Sequence, residues 1–377
     1  RASAIQRAGR AGRTQNGRVL RLYTRHDFDS RPERDAPEIA RADLAEPVLT
    51  LHGLGVRDAR AFPWFEDPPS AGVEAAENLL ERLGAIEHSG KITEVGRRML
   101  LFPAHPRLAR LMVEGERRGI ASEACGIAAL LGERDIRLSA RSDFARASGR
   151  RPSSAASRSD LLELLDCLLG AEKTMADPAR VVALGLDPGA VRAATRARHQ
   201  FERIARSRRA EPRNAPQAED ALLQAALSAF PDRLAKRRDR GSREFVLAAG
   251  GTAQLAESSA VHDADLIVAV DAEYRSPRKG VSAVIIRLAS KVETEWLPEM
   301  FPQEISEKTE LRWNEAAGRV DEITRTSYGQ VALEERLRPA RASSETSRIL
   351  ASAALARGLR DFKDSQSLPV LTARIEL

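Results

Sequence analysis

The chain has 377 residues, 42% of them hydrophobic and 30% charged, with 60 Lys and Arg against 54 Asp and Glu for a formal net charge of +6. That much apolar material supports packed cores and excludes a chain disordered throughout, and the length predicts two to four domains. The two cysteines, Cys125 and Cys167, exclude a disulfide-built fold and a four-cysteine zinc site; both lie in apolar helical segments and are expected to be small core residues.

The first 25 residues carry seven Arg, no acid and no hydrophobic run of the kind a signal peptide needs. No apolar stretch reaches the roughly 18 residues that span a bilayer. The expectation is a soluble, reduced, cytoplasmic protein without a membrane partner. Gly9, Gly12 and Gly17 punctuate the opening segment, and Arg18-Val19-Leu20-Arg21-Leu22-Tyr23 alternates polar and apolar, which predicts a strand.

Residues 26–70 are mixed, with a loop over Phe62–Pro69 that its Pro pair keeps from being helical. From Gly72, Val73, Ala76, Leu79, Leu80 and Leu83 recur at helical spacing and Gly84 reads as the C-cap. After a turn at 88–91, Thr93 is the expected N-cap of a short helix over Glu94–Leu101. Helix, turn and short helix fit a small winged-helix-like unit.

Residues 106–230 are rich in Ala and Leu and predict a helical bundle, with Ser122 capping one helix and a linker at 149–157. One further helix is expected over Val191–Arg206. After Pro231 the period becomes two: 244–248, 265–270 and 280–288 predict strands of one β-barrel or sandwich over 231–340, closed by a helix at 345–362.

Residues 6–13 read Gln6-Arg7-Ala8-Gly9-Arg10-Ala11-Gly12-Arg13, a Q-R-x-G-R-x-G-R pattern. Arginine is a permanent, planar, multi-donor cation, the group best suited to charge spread over the oxygens of a phosphoryl group in transfer. Arg10 and Arg13, three residues apart, fall on one face of a helix. An Arg/Gly-rich nucleic-acid-binding tail is the plainer reading.

The pattern resembles motif VI of superfamily 2 helicases. By that resemblance Arg10 and Arg13 are arginine fingers, Gln6 contacts the γ-phosphate or the attacking water, and Arg7, Gly9 and Gly12 support the segment. The order of later segments is similar to DEAH-type helicases: Gly17 to Tyr23, Pro37-Glu38-Ile39-Ala40-Arg41, Leu54-Gly55-Val56, the loop at 62–69 and Phe102–Leu108. Phe230–Ala235, Gly241–Phe245, Ala249–Ala253 and Trp313-Asn314-Glu315 resemble the C-terminal region of HrpB-type ATP-dependent helicases of bacteria.

The resemblance implies a multidomain chain, mainly α with a β-rich C-terminal part. Its parts would be a RecA-like α/β remnant (1–45), a winged-helix-like unit (46–105), a helical ratchet bundle (106–230), an OB-like β-barrel (231–340) and a final helix and tail (341–377). It implies ATP and Mg²⁺ as cofactors, held mainly by a first RecA-like domain, and RNA or DNA as partner. Neither a P-loop nor a DExH box is present in the sequence, so the chain is expected to need the N-terminal RecA-like domains of a longer helicase for ATP hydrolysis. A stand-alone nucleic-acid-binding or adaptor protein built from the same accessory domains is the alternative.

Three stretches are dense in base: 134–158 (seven Arg, two Asp), 192–213 (eight Arg, two Glu) and 232–243 (six basic residues, two Asp). Such patches suit sequence-independent phosphate contact, and a solvated helix face explains them as well. Arg150, Arg151, Arg233, Lys236, Arg237 and Arg238 are the candidate nucleic-acid contacts. Trp64 and Phe65 are expected in a core rather than stacked on bases, as are Trp296 and Trp313. The six His are scattered, and no metal is predicted. Asp265, Asp271 and Glu273 form a possible carboxylate group or a solvated strand edge.

Overall fold

A computed structural model describes residues 1–34, 36–138, 157–205, 215–275 and 283–356. The chain divides into two units, Arg1–Val113 and Glu114–Leu377.

The first unit is helical: α1 (Ala2–Gly9), α2 (Arg25–Ser30), α3 (Ala45–Gly53), α4 (Ser70–Arg82) and α5 (Glu94–Met99), with α6 (Pro106–Arg117) running across the division. The spacing of apolar residues in α4 does what it predicts: Val73, Ala76 and Leu80 are buried, with Leu83 following. Gly84 turns the chain at φ +67°, a conformation open to glycine. Residues 86 and 92 then bridge, and Thr93 caps α5: its Oγ1 accepts from the Gly96 N–H at 3.0 Å and donates to the Gly84 carbonyl at 2.7 Å. At Gly96 a Cβ would stand 2.1 Å from the Ala85 carbonyl oxygen, so only glycine lets α5 lie this close to the turn.

The strand expected at 18–23 does not form: the segment has no strand partner, and the chain bends at 22–23. Leu20 and Leu22 are 85% and 89% exposed. A strand holds only when its backbone groups pair with a neighbour, and no other described residues supply one. The segment is held on α2 by its side chains. Arg21 lies 4.2 Å over the Phe28 ring, Arg31 lies 4.2 Å over Tyr23, and Tyr23 stacks on Phe28.

The second unit opens with helices α7 (Ala121–Gly132), α8 (Asp160–Glu172), α9 (Pro178–Ala183), α10 (Pro188–Ile204) and α11 (Ala215–Ala229). Helix α7 is buried along an unbroken run from Ala124 to Leu130, and α8 and α10 pack on it. Ser122 is not the cap expected: α7 begins one residue earlier, and the Ser122 hydroxyl donates to Glu202 at 2.6 Å.

Strands β1 (Leu234–Arg237), β2 (Glu244–Leu247), β3 (Thr252–Leu255), β4 (Leu266–Arg275) and β5 (Ala283–Lys291) close a barrel in the order β1-β2-β3-β5-β4. Only the β3–β5 pair is parallel. Phe245, Leu255, Val261, Ile267 and Ile286 fill its interior. The single β-domain expected over 231–340 is therefore two sheets. After the short α12 (Trp296–Met300), strands β6 (Ile305–Asn314), β7 (Arg319–Tyr328) and β8 (Val331–Pro339) form a separate antiparallel sheet. Helix α13 (Ser344–Ala356) packs against β6 and β7. No helix among the described residues is long and apolar enough to cross a membrane.

One buried carboxylate joins bundle to barrel. Asp160, the first residue of α8, accepts from the Ser259 hydroxyl at 2.8 Å and from the Ala260 and Ala289 N–H groups at 2.7 and 2.8 Å. Beside it, the Ser159 and Ser290 hydroxyls meet at 2.6 Å. Removing this acceptor strands two buried N–H groups. Asp160→Ala should therefore cost about 3 kcal/mol or more of stability. A chemical denaturation curve checks this, and a loss below about 1 kcal/mol would contradict the role.

Candidate functional site

The motif segment lies in the first unit, on α1 and the tight turn that continues it. Gly9, Arg10 and Arg13 all have right-handed helical backbone, and Arg10–Gly12 is a single 3₁₀ turn. In that turn residues three apart eclipse one another, so Arg10 and Arg13 project from the same side. Gln6, four residues before Arg10, continues the same row on α1. Gln6, Arg10 and Arg13 are all exposed, and neither guanidinium has an ion-pair or hydrogen-bond partner among the described residues. Arg7 donates to the Ser3 hydroxyl at 3.2 Å.

By the resemblance Gly9 and Gly12 support this segment. A Cβ built on either meets nothing within 4 Å. Neither φ requires glycine; the close approach in this turn is at Gly17, where a Cβ would stand 2.1 Å from the Ala11 carbonyl oxygen.

The basic stretch at 232–243 differs from expectation. Its donors serve the barrel itself. Arg237 is buried over the Phe245 ring and donates to the carbonyls of Ser242, His262 (2.6 Å) and Ala264 (2.8 Å). Arg233 donates to the Val270 carbonyl at 2.9 Å, and Lys236 to the Ala332 carbonyl at 2.6 Å, tying barrel to second sheet. Arg238 is exposed but pairs with Glu244 at 2.9 Å. Composition cannot separate these cases, because a guanidinium that holds a loop carbonyl and one that meets solvent read alike. Arg150 and Arg151 lie outside the described residues. The stretch at 192–213 is described as far as residue 205, on α10, where Arg198 is held by Glu172 at 2.7 Å and Glu202 at 3.0 Å.

Other expectations shift as well. Cys125 is fully buried, and burial pushes its thiol up to about 12, whereas Cys167 is exposed rather than core. Trp64 is half-buried, donating to the Ala59 carbonyl at 2.9 Å, but Phe65 stands fully in solvent. Trp296 and Trp313 are half-buried. Arg287 lies 3.8 Å from Asp271 and 3.7 Å from Glu273, and Asp265 is exposed just before β4. Among the described residues no group of three or more His, Cys, Asp or Glu is placed to hold a metal ion.

One contact escaped the sequence because its partners are 62 residues apart. His105 Nε2 lies 3.2 Å from Asp43 Oδ2, and its Nδ1 accepts from the Arg107 N–H at 3.2 Å. An Asp–His pair is a common catalytic element, but here the second ring nitrogen is occupied by backbone and the pair fastens a loop to the start of α3. Burial pushes the Asp43 carboxyl up, yet the Ala45 N–H, His105 and Arg107 together hold it below the usual carboxylate range. A lowered carboxylate pKa adds stability above its unfolded value of about 3.9, and that stability is lost as pH falls through the folded value. Thermal melts of the chain should therefore drop on acidification below about pH 4, and Asp43→Asn should shrink that acid-side drop. An unchanged acid limb in the variant would refute the assignment.

Comparison with known proteins adds the following. The profile of the helicase associated domain (HA2), winged-helix, matches residues 76–104. The chain is 42% identical over 141 residues to the ATP-dependent RNA helicase HrpA of Escherichia coli, covering 36% of this chain and 11% of that protein. It is 38% identical over 137 residues to the probable ATP-dependent RNA helicase DHR2 of Saccharomyces cerevisiae, covering 36% of this chain and 19% of the relative. The fold is similar to the crystal structure of the E. coli DExH-box NTPase HrpB with a TM-score of 0.58 and 23% identity, over 95% of this chain and 38% of that one. The chain thus spans well under half the length of each protein it matches.

Proposed function

We propose, from the premise that this chain is the counterpart of the C-terminal part of a DEAH-box helicase, that it supplies the arginine fingers and accessory domains of an ATP-dependent RNA helicase. The observation that carries the reading is the row Gln6, Arg10 and Arg13: two unpaired guanidinium groups eclipsed on one turn, with a polar amide beside them.

Two cations on one side of a turn suit a compact trianion whose charge grows on its equatorial oxygens during transfer. Arg10 and Arg13 stabilise that charge, and Gln6 orients the terminal phosphate or the attacking water. Gly9 and Gly12 keep the face low, so that a second nucleotide-binding lobe can approach it. ATP and Mg²⁺ belong to that lobe, since the sequence has neither a P-loop nor a DExH box of its own. The segment 18–23, with a strand's pattern and no partner, fits the same assignment, as a strand of a RecA-like domain whose sheet includes segments beyond these residues.

The remaining parts read as accessory modules. The turn and helices over 76–104 are the winged-helix unit, and α7 to α11 the ratchet bundle. The five-stranded barrel, with β1 closing on β4, is OB-like. RNA is the polymer, in keeping with the printed names of the relatives.

Two measurements test the reading. In the protein that joins this chain to its nucleotide-binding domains, Arg10→Ala should lower kcat for ATP about a thousandfold and alter nucleotide affinity by less than roughly tenfold. The chain by itself should not turn over ATP. Unimpaired turnover in the variant, or robust hydrolysis by the isolated chain, would overturn the proposal.

A further inference from the structure

Helix α10 turns one side to α7, α8 and α9, burying Val191, Ala194, Thr195 and Phe201. Its other side carries Arg192, Arg196, His199 and Arg203, all exposed. The intervals of four, three and four residues set them in one row, about 16 Å long at 1.5 Å per residue.

Nearby acids do not neutralise this row. Glu172 and Glu202 hold Arg198, Asp187 holds Arg134 at 2.7 Å, and Asp177 lies 3.4 Å from Arg180. Arg192, Arg196 and Arg203 have no ion-pair or hydrogen-bond partner among the described residues. Like charges one turn apart repel and weaken a helix by a few tenths of a kcal/mol per pair. Arg203, in the last turn, gains a comparable amount from the helix dipole, so the row adds little or nothing net to the fold.

We infer that this row is a phosphate-tracking ridge that holds the backbone of single-stranded RNA, which makes α10 a binding element of the helicase reading on which the inference rests. Evenly spaced guanidinium groups match a polymer with one negative charge per nucleotide, and each can grip a phosphate through two parallel N–H donors. Phe201, the one Phe, Tyr or Trp of α10, is buried, which leaves the imidazole of His199 as the ridge's single ring and makes stacking secondary to phosphate contact. It contacts backbone and leaves sequence unread. A membrane surface would call for large apolar side chains beside the charges, and the exposed side of α10 has none.

The test uses the full chain and a fluorescein-labelled oligouridylate, with anisotropy titrations over a series of salt concentrations. Three lost phosphate contacts should flatten the plot of log affinity against log salt by about 2, at roughly 0.7 per contact on single strands. The R192Q/R196Q/R203Q variant should show that change and bind at least about tenfold more weakly at physiological salt. The same three positions as Lys should keep most of the slope. A control that removes three paired cations, R180Q/R325Q/R336Q, should keep it too.

Thermal melting of the Gln variant should be unchanged or slightly higher. A lower melting point would assign these arginines to the fold and overturn the inference. Parent-like slope and affinity in the Gln variant would overturn the ridge while leaving RNA binding intact. Poly-glutamate binding as tightly as the RNA would point to an acidic protein partner and overturn the choice of ligand. A parent chain that does not bind the RNA would remove the helicase reading's RNA partner and the ridge together.

Discussion

An arginine keeps its charge at every pH a protein survives, so each guanidinium must be solvated, paired or offered to a partner. This chain has 53 of them among its 60 basic residues, and their disposal governs its architecture. Where the fold needs donors it uses them. Arg237 closes the barrel's loops by holding three carbonyls beneath its shell, and Arg198 binds α10 to α8 through Glu172. Arg118, just past the end of α6, reaches back to Glu114 on that helix and across to Gln224 on α11. Each of these groups sits where water is scarce and a hydrogen bond to a charged donor is correspondingly strong. Among the described arginines that do no internal work, two groups stand aligned on helical faces: Arg10 with Arg13, and Arg192 with Arg196 and Arg203.

The same economy appears with opposite sign at Asp160. A buried carboxylate survives only with its oxygens satisfied, and here three donors from two barrel segments converge on it. The consequence is mechanical. The start of α8 is tied to the 259–260 loop and to β5, so bundle and barrel share a rigid joint inside the second unit. A ridge on α10, which packs on α8, is thereby held in fixed register with the barrel.

What the sequence disclosed and what it hid follow from the range of the interactions involved. Helices α4 and α5 were legible because their signals are local: apolar period, Gly84, Thr93. The helical row that carries Gln6, Arg10 and Arg13 was legible for the same reason. Strands β2, β4 and β5 announced themselves by β-branched alternation. Strands β6 to β8 did not, since charged and hydroxylated residues interrupt their apolar alternation, and the division of 231–340 into two sheets was missed. Residues 18–23 carry a strand's pattern and lack a strand's partner, so the local signal overstates what forms. Lys236 and Arg237 were misassigned to phosphate because nothing local records that their acceptors, Ala332 and Ala264, come close. The row on α10 sat inside a stretch already noted as basic, yet only the structure separates Arg198, which is paired, from its three unpaired neighbours.

The two free cationic faces share a chemistry and differ in shape, and the difference bears on what each can recognise. Arg10 and Arg13 are eclipsed on one 3₁₀ turn, a geometry that concentrates positive charge at a point. Such a pair favours a small, highly charged group and discriminates the state in which that charge peaks. Losing one member should therefore act steeply, on rate more than on binding. Arg192, Arg196 and Arg203 are drawn out along three turns of α10, a geometry that presents moderate charge over a length. It favours a polymer, with each residue adding one contact in a nearly independent, salt-dependent increment. In the proposed reading the point-like site serves phosphoryl transfer and the linear one serves contact along a strand, two tasks that the same side chain meets through different spacing.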